Sequence, residues 1–476
     1  MKIINRIVYS LLIGIFMVSC LKDNGEYDYI ELEGVDFSNL PTEEYAIIGT
    51  ELEIEGNIVT DIPEENRAYA WYIRVFRDGD RTGDTLSVEK DLNVITSFDP
   101  GTQNLIYSVY DKENNVRYNK AIDIYVVTPF TQGWAILKEK NGLAEFDFIS
   151  EITDDLIVDV FENVAKVNPT GTPVNIGFNW NKAQGWNQMF ICTSDGGAYF
   201  DGITMQLDKY IVDRFNSTSR LELPFTKIGI DNITDGYGWP LLAGGNIYTK
   251  NGSSLEDGWW EFPAEGDYYV TDKMAWGLGT VVYFDELNRR YITNAKNGYY
   301  TDYYKMEAVT TSDPENALFD PSNLNMDCMW METEGSSYNI ISVLKSDAGN
   351  YFLQRFLSHI TKGFTANAHI QLPTGLVDDN SQYANDNVYS FTYMSQGNKI
   401  HRYNRVSDVI NENYLELTGE IKKLEVHKEG GVLAVVYDSQ DGGSTIEIID
   451  LLNDGAVLAT YEIDSKVVEI EHKLDD

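Results

Sequence analysis

The chain has 476 residues, 43% of them hydrophobic and 13% aromatic, and a formal net charge of −39. That length calls for two or three domains with ample material for a core. The acidity excludes nucleic acid, whose binding needs a Lys/Arg surface for counterion release, and it excludes lying flat on an anionic leaflet. Tyr (31) outnumbers Phe (20) and Trp (9), which favours strands over helical packing.

The N-terminus reads first as an export segment. Lys2 and Arg6 precede Ile7 to Val18, a run that is apolar but for Ser10 and Gly14. It is too short to span a bilayer, which takes about 20 apolar residues. A basic start, a short apolar core and small residues before a cut are what a secretory signal needs. Met17-Val18-Ser19-Cys20 resembles a bacterial lipobox, with Ser19 as the small residue before the Cys and Met17 where Leu is usual. The resemblance implies that residues 1–19 are removed and that Cys20 is acylated. Without Lys2 and Arg6 the charge becomes −39 − 2 = −41. Residues 20–29 then form the acylated Cys and an acidic tether. Lys22-Asp23 and Glu26 resemble the charged signal by which Bacteroidetes lipoproteins reach the outer face of the outer membrane, and they read equally as a solvated linker.

Residues 30–128 alternate as half-buried strands. ELEIEGNIV (51–59) puts Leu52 and Ile54 on one face and Glu51, Glu53 and Glu55 on the other, YAWYIRVF (69–76) centres on Trp71, and 105–127 predicts a hairpin closed near Asn114-Asn115. With no helical period, a small β-sandwich follows. The central Trp71, then Tyr107-x-Val109-x-Asp111 and a final strand, resembles a PKD or related immunoglobulin-like module. In that family the Trp and Tyr are core residues. Thr128-Pro129 to Gly133 is a joint.

From Trp134 onward the chain repeats. TSDGGAYF (193–200), KSDAGNYF (345–352) and SQDGGSTI (439–446) each lie between apolar strands and read as hairpin tips, in which Asp bonds the amides of its own turn and Gly takes positive φ. Asp195 to Asp347 is 152 residues, Asp347 to Asp441 is 94, and Asn141-Gly142 sits 54 before Asp195, all multiples of about 50. Further hairpins lie at 280–293 and 388–403, whereas 205–280 is poorly marked. Such a repeat of small antiparallel sheets is what a β-propeller requires. The 343 residues of 134–476 predict seven blades, with six or eight left open. The tips resemble the Asp-box hairpins of sialidase-type propellers, which implies a bracing role away from any active centre. The fold class is thus all-β, an Ig/PKD-like β-sandwich followed by a β-propeller.

Chemistry-bearing motifs are sparse. Five His are scattered through the last quarter, and no Cys/His cluster has zinc spacing. Cys192 and Cys328 read as buried thiols. Asp154-Asp155, Asp378-Asp379 and Asp285-Glu286 read as solvated loops. The family Phe-Arg-Ile-Pro signature of sialidases is missing, and there is no Gly-rich phosphate loop and no Gly-x-Ser-x-Gly. Asp78-Gly79-Asp80 with Asp84 offers calcium some oxygens but lacks the remaining loop spacing, and reads as a turn. No cofactor is expected, with calcium left open.

One region stands apart. Between Tyr237 and Tyr304 there are sixteen aromatics in 68 residues, set among turn formers. Adjacent rings in an extended chain point opposite ways, so one of each pair faces away from the core. Trp239, Trp259, Trp260, Tyr268, Tyr269, Trp276, Tyr299 and Tyr300 are therefore candidate ligand-binding residues for sugar faces or peptide side chains. Packing between blades is the competing reading.

Lipobox, sandwich and repeat together resemble the PKD-like family of Bacteroidetes surface lipoproteins. The resemblance implies a lipid-anchored outer-membrane protein, an accessory of a SusC/SusD-type importer that captures or presents an oligomeric glycan or peptide and is no enzyme. A propeller-type hydrolase or lyase, and a purely structural subunit of the importer, are the alternatives.

Overall fold

The computed structural model describes residues 34–474 except 78–79, 168, 182–185, 216–220, 230–239, 251–259, 298–299, 312, 314, 336–337 and 360–362. The export segment, Cys20 and the tether lie outside the described residues, as do Asp78 and Gly79. The chain divides into two compact units, residues 1–126 and 127–476. Both are built from strands. Among the described residues no helix is long and apolar enough to cross a membrane.

The first unit carries a five-stranded sheet in the spatial order Glu43–Ile47, Val116–Val127, Gly101–Asp111, Arg67–Arg77, Asp80–Ser87, its last four strands antiparallel. A short pair, Glu51–Ile54 with Leu92–Ile95, packs Leu52, Ile54 and Leu92 onto the same core. The alternation of 51–54 is realised as read, with the Glu residues exposed and Leu52 and Ile54 buried. Trp71 is fully buried and stacks on Tyr107 with centroids 4.1 Å apart, while its Nε1–H donates to Lys90 O at 3.2 Å. The hairpin predicted at 105–127 closes where expected. Asp111 Oδ1 accepts the amides of Glu113 (2.9 Å) and Asn114 (3.2 Å), and Asn115 takes φ 55°. The last residue of the Tyr-x-Val-x-Asp pattern is therefore a turn brace.

Among the described residues the second unit holds seven four-stranded antiparallel sheets, none of which closes on itself. Sheets 2 to 7 each use four consecutive strands and begin with Pro173–Asn181, Phe225–Ile228, Met274–Gly277, Met326–Glu334, Tyr383–Asp386 and Ile421–Val426. Sheet 1 is different. It takes Gly133–Lys140, Leu143–Ser150 and Leu156–Ile157 from the start of the unit and Lys466–Lys473 from its end, so that Gly133 pairs with Lys473. Among the described residues seven apolar cores lie between the sheets, each shared by consecutive ones. The last of them joins sheet 7 to sheet 1 through Ile446, Ile448, Trp134 and Ile136. Each sheet thus buries both faces, which is why its strands read as nearly continuous apolar runs.

The predicted tips are the turns between the second and third strands counted from the first-strand edge. Asn141-Gly142, Asp195, Asp347, the 280–293 and 388–403 hairpins and Asp441 all fall at such turns. Their side-chain chemistry is less uniform than read. Asp441 bonds an amide of its own turn, Gly443 N at 3.3 Å, and Asp285 in the 280–293 hairpin accepts those of Leu287 (3.1 Å) and Asn288 (3.2 Å). Asp195 accepts from Ser194 Oγ at 3.0 Å, and Asp347 pairs with Arg289 of sheet 4 at 2.7 Å. In the poorly marked 205–280 stretch the corresponding turn is Gly244-Gly245, between Leu241–Ala243 and Asn246–Lys250.

Candidate functional site

The aromatic candidates divide sharply. Trp239, Trp259 and Tyr299 lie outside the described residues, and nothing is described of the Tyr300 side chain. Trp260 is 1% exposed and packs with Tyr199 and Phe215, and Trp276 is 9% exposed in the core between sheets 3 and 4. Both correct the reading of ligand-facing rings. The physical reason is that every sheet needs large side chains on both faces. Tyr268 is half-buried, its hydroxyl donates to Ala264 O at 2.6 Å, and burial pushes the phenol up to about 12. It too is a packing residue.

Tyr269 is the exception, 50% exposed. It lies in the connection from sheet 3 to sheet 4 and is held by its backbone. Its N–H donates to Asp285 Oδ1 at 3.2 Å, and its carbonyl accepts Glu286 N at 2.8 Å. Beneath the ring is Gly245, φ +85°, where a Cβ would stand 2.3 Å from two ring carbons. Only glycine permits that approach. Beside it Leu287 is 59% exposed, with its amide on the same Asp285 Oδ1 at 3.1 Å. Asp285, expected in a solvated loop, is fully buried and also receives Arg290 Nε at 2.9 Å. The outcome is an exposed ring seated on glycine backbone, its own backbone pinned to Asp285.

A second cluster was invisible in the sequence. Glu151 (after the third strand of sheet 1), His427 (after the first strand of sheet 7) and His472 (in the final strand) come together with ligand atoms within 4.8 Å of one another. Glu151 Oε1 is 3.3 Å from His427 Nε2 and 3.2 Å from His472 Nε2, and Gln132 Nε2 donates to Oε2 at 2.8 Å. Trp134 presses edgewise on both imidazoles. Residues 276 and 45 positions apart in sequence could not signal this proximity.

Hydrogen bonding fixes the tautomers. His472 Nδ1 accepts Lys428 N–H at 3.2 Å, and His427 Nδ1 accepts Glu429 N–H at 3.1 Å. Each neutral ring therefore carries its proton on Nε2, pointed at Glu151. Metal-ligating imidazoles do the reverse, offering the Nε2 lone pair while Nδ1–H donates to an acceptor. The trio has the residue types of a zinc site but the wrong tautomers. It is a satisfied brace joining sheets 7 and 1. Burial pushes the Glu151 carboxyl up, but the two imidazoles outweigh it and hold it well below the carboxylate range. Burial draws His472 down to about 4 against the pull of Glu151.

Next to the brace, Lys428 pairs with Glu471 at 2.9 Å and Glu425 at 3.3 Å. Burial pushes Glu425 up to about 8, with Lys428 opposing and Glu471, Glu332 and Glu469 assisting. Glu332, in the first strand of sheet 5, is pushed up to about 7 by burial against the pull of Lys428 and Lys227. Both carboxyls are half-buried, so water moderates the effect. The first strands of distant sheets thus bring carboxyls together that a linear reading scatters. Cys192 and Cys328 are free and buried, as expected.

Residues 20–173 match the model of the PKD-like family, about a third of the chain. No curated protein matches. Among solved structures the chain is similar to a quinonprotein alcohol dehydrogenase-like protein of Bacteroides thetaiotaomicron, at 15% identity and TM-score 0.46, covering 94% of this chain and 100% of that one. Apo AztD from Citrobacter koseri is 11% identical with TM-score 0.41 over 85% and 98% of the two chains. A DUF4784 family protein from Bacteroides caccae is 11% identical with TM-score 0.33 over 93% and 99%. At these values function has to be argued from the residues.

Proposed function

We propose that this chain is an outer-membrane lipoprotein, acylated at Cys20 and facing the cell surface, that captures or presents an oligomeric nutrient for a SusC/SusD-type importer without converting it. In this reading the seven sheets are the blades of a seven-bladed β-propeller. The cyclic sharing of cores and the pairing of the final strand with the first support it. The observation that carries the binding role is Tyr269, an exposed ring seated on Gly245 whose backbone shares the Asp285 carboxylate with exposed Leu287. Ordering a flexible side chain on binding costs about 0.5–1.5 kcal/mol, and a ring already seated avoids that cost. The match to the PKD-like family and the lipobox-like MVSC support the placement at a surface.

The test is capture of the acylated chain from native membranes, followed by identification of co-purifying outer-membrane proteins and retained oligomers. Recovery with a transporter and an intact oligomer is expected. Recovery alone, with radiolabelled palmitate absent, overturns the proposal. One observation favours a second reading, a hydrolase or lyase: Glu332 and Glu425 are carboxyls pushed up to about 7 and about 8, suited to proton transfer near neutral pH. Products that form with glycan oligomers and vanish in Glu332→Gln would select it.

A further inference from the structure

The chemistry around Tyr269 narrows the ligand, an inference that rests on the binding role proposed above. We infer that the platform takes a neutral glycan and rejects acidic ones. The argument is an inventory of what the surrounding groups have left to offer. Arg290 is the cation beside the ring, and it is engaged: Nε donates to Asp285 Oδ2 at 2.9 Å and an amino group to Asp267 O at 3.1 Å. Asn288 uses Nδ2 twice, to Asp267 O and Asp285 Oδ2, both at 2.9 Å, which leaves Oδ1 as its free function. On the Gly244-Gly245 side, Asn246 Nδ2 donates to Glu222 Oε2 and Gly244 O, both at 3.3 Å, and again Oδ1 is left. Glu222 packs against Gly244, and its side chain and that of Asp267 are exposed carboxylates.

The rim therefore offers acceptors: amide and carboxylate oxygens. A partner must bring donors and a flat apolar face. Sugar rings do both, with hydroxyl donors around the edge and C–H groups on the face that stacks on an aromatic ring. Uronic, sialic or sulfated sugars would place anions against Glu222 and Asp267, while among the described residues the cation beside the ring, Arg290, is already paired with Asp285. A peptide backbone brings N–H donors but no flat apolar face of its own to set against the ring. The glycan is the better fit.

The experiment is affinity electrophoresis of the full chain through gels containing neutral polysaccharides (mannan, xyloglucan, laminarin) or acidic ones (polygalacturonate, heparin), with a casein digest assayed by calorimetry. Retention by at least one neutral polysaccharide is expected, with none on the acidic gels. Tyr269→Ala should weaken retention about tenfold, and Tyr269→Phe, which keeps the ring, should restore it. The ring is exposed, so both variants should melt with the wild type, and Leu287→Ala provides an independent, smaller loss. Retention by acidic polysaccharides or binding of peptides, lost in Tyr269→Ala, overturns the glycan assignment and leaves the capture role standing. Retention by neutral gels that Tyr269→Ala does not change overturns the site. Binding of nothing in the panel overturns both.

Discussion

Acidification should loosen the joint between sheets 7 and 1 by an amount set by one imidazole. His472 is fully buried and drawn down to about 4 from an ordinary 6.5, with Glu151, His427, Lys428 and Trp134 around it. In the unfolded chain His472 takes up a proton near its ordinary value, whereas in the fold it stays neutral. The unfolded state thus binds more protons between those two values, and stability falls as pH falls through that window. Above about pH 6.5 the contribution is fully present, and below about pH 4 the loss is complete. From the two values the loss is about 1.4 kcal/mol at pH ~5.5 and about 2.6 kcal/mol at pH ~4.5.

Glu151 is held below its ordinary value of 4.5, so its own loss begins near that value, at the low end of this window. The assay is urea denaturation of wild type and His472→Gln from about pH 8 to about pH 4.5. Glutamine keeps an N–H donor for Glu151 and an acceptor for Lys428 N but does not titrate. His369 and His401 are also drawn down by burial, but they are common to both proteins and cancel in the difference. The wild type should lose stability relative to His472→Gln by the amounts above. A difference that is flat across the range would refute the assignment of a neutral Nε2–H tautomer held by Lys428 N.

Three further outcomes follow from the same structure. Lys138 is fully buried on Asp147 (2.8 Å), Asp159 (2.9 Å) and Asp464 (2.7 Å), so Lys138→Met leaves Asp147 buried without its cation and should cost about 3–5 kcal/mol in urea melts. Adding Asp147→Leu should recover much of that loss. Zinc or a chelator should leave the melting temperature unchanged, because both Nδ1 atoms accept backbone N–H groups; a zinc-dependent rise in differential scanning fluorimetry, lost in His427→Ala, would show that the tautomers can switch. Cys20→Ser should abolish labelling by palmitate and release the chain from the membrane fraction, whereas labelling that persists would place the lipid elsewhere.

What the sequence by itself determined was local. Period-two alternation set the strands of 51–54 and the hairpin of 105–127, because burying one face of a pleated strand demands it. Asn-Gly and Asp-Gly pairs marked the tips at 141–142, 195 and 441, and Asp-Ala-Gly the one at 347, because positive φ is cheap for such residues. The blank at 205–280 arose where Gly244-Gly245 closes a turn between strands only three and five residues long. Tertiary structure decided everything that joins distant segments. The pairing of Lys466–Lys473 with Gly133–Lys140 is a backbone hydrogen-bond ladder, and ladders leave no residue-type signature. The Glu151–His427–His472 brace exists because that ladder brings the last strand of the second unit to its first. The ring that faces out was settled the same way: Tyr268 and Tyr269 are identical in sequence, and the glycine beneath one and the carbonyl of Ala264 before the other assign them opposite roles.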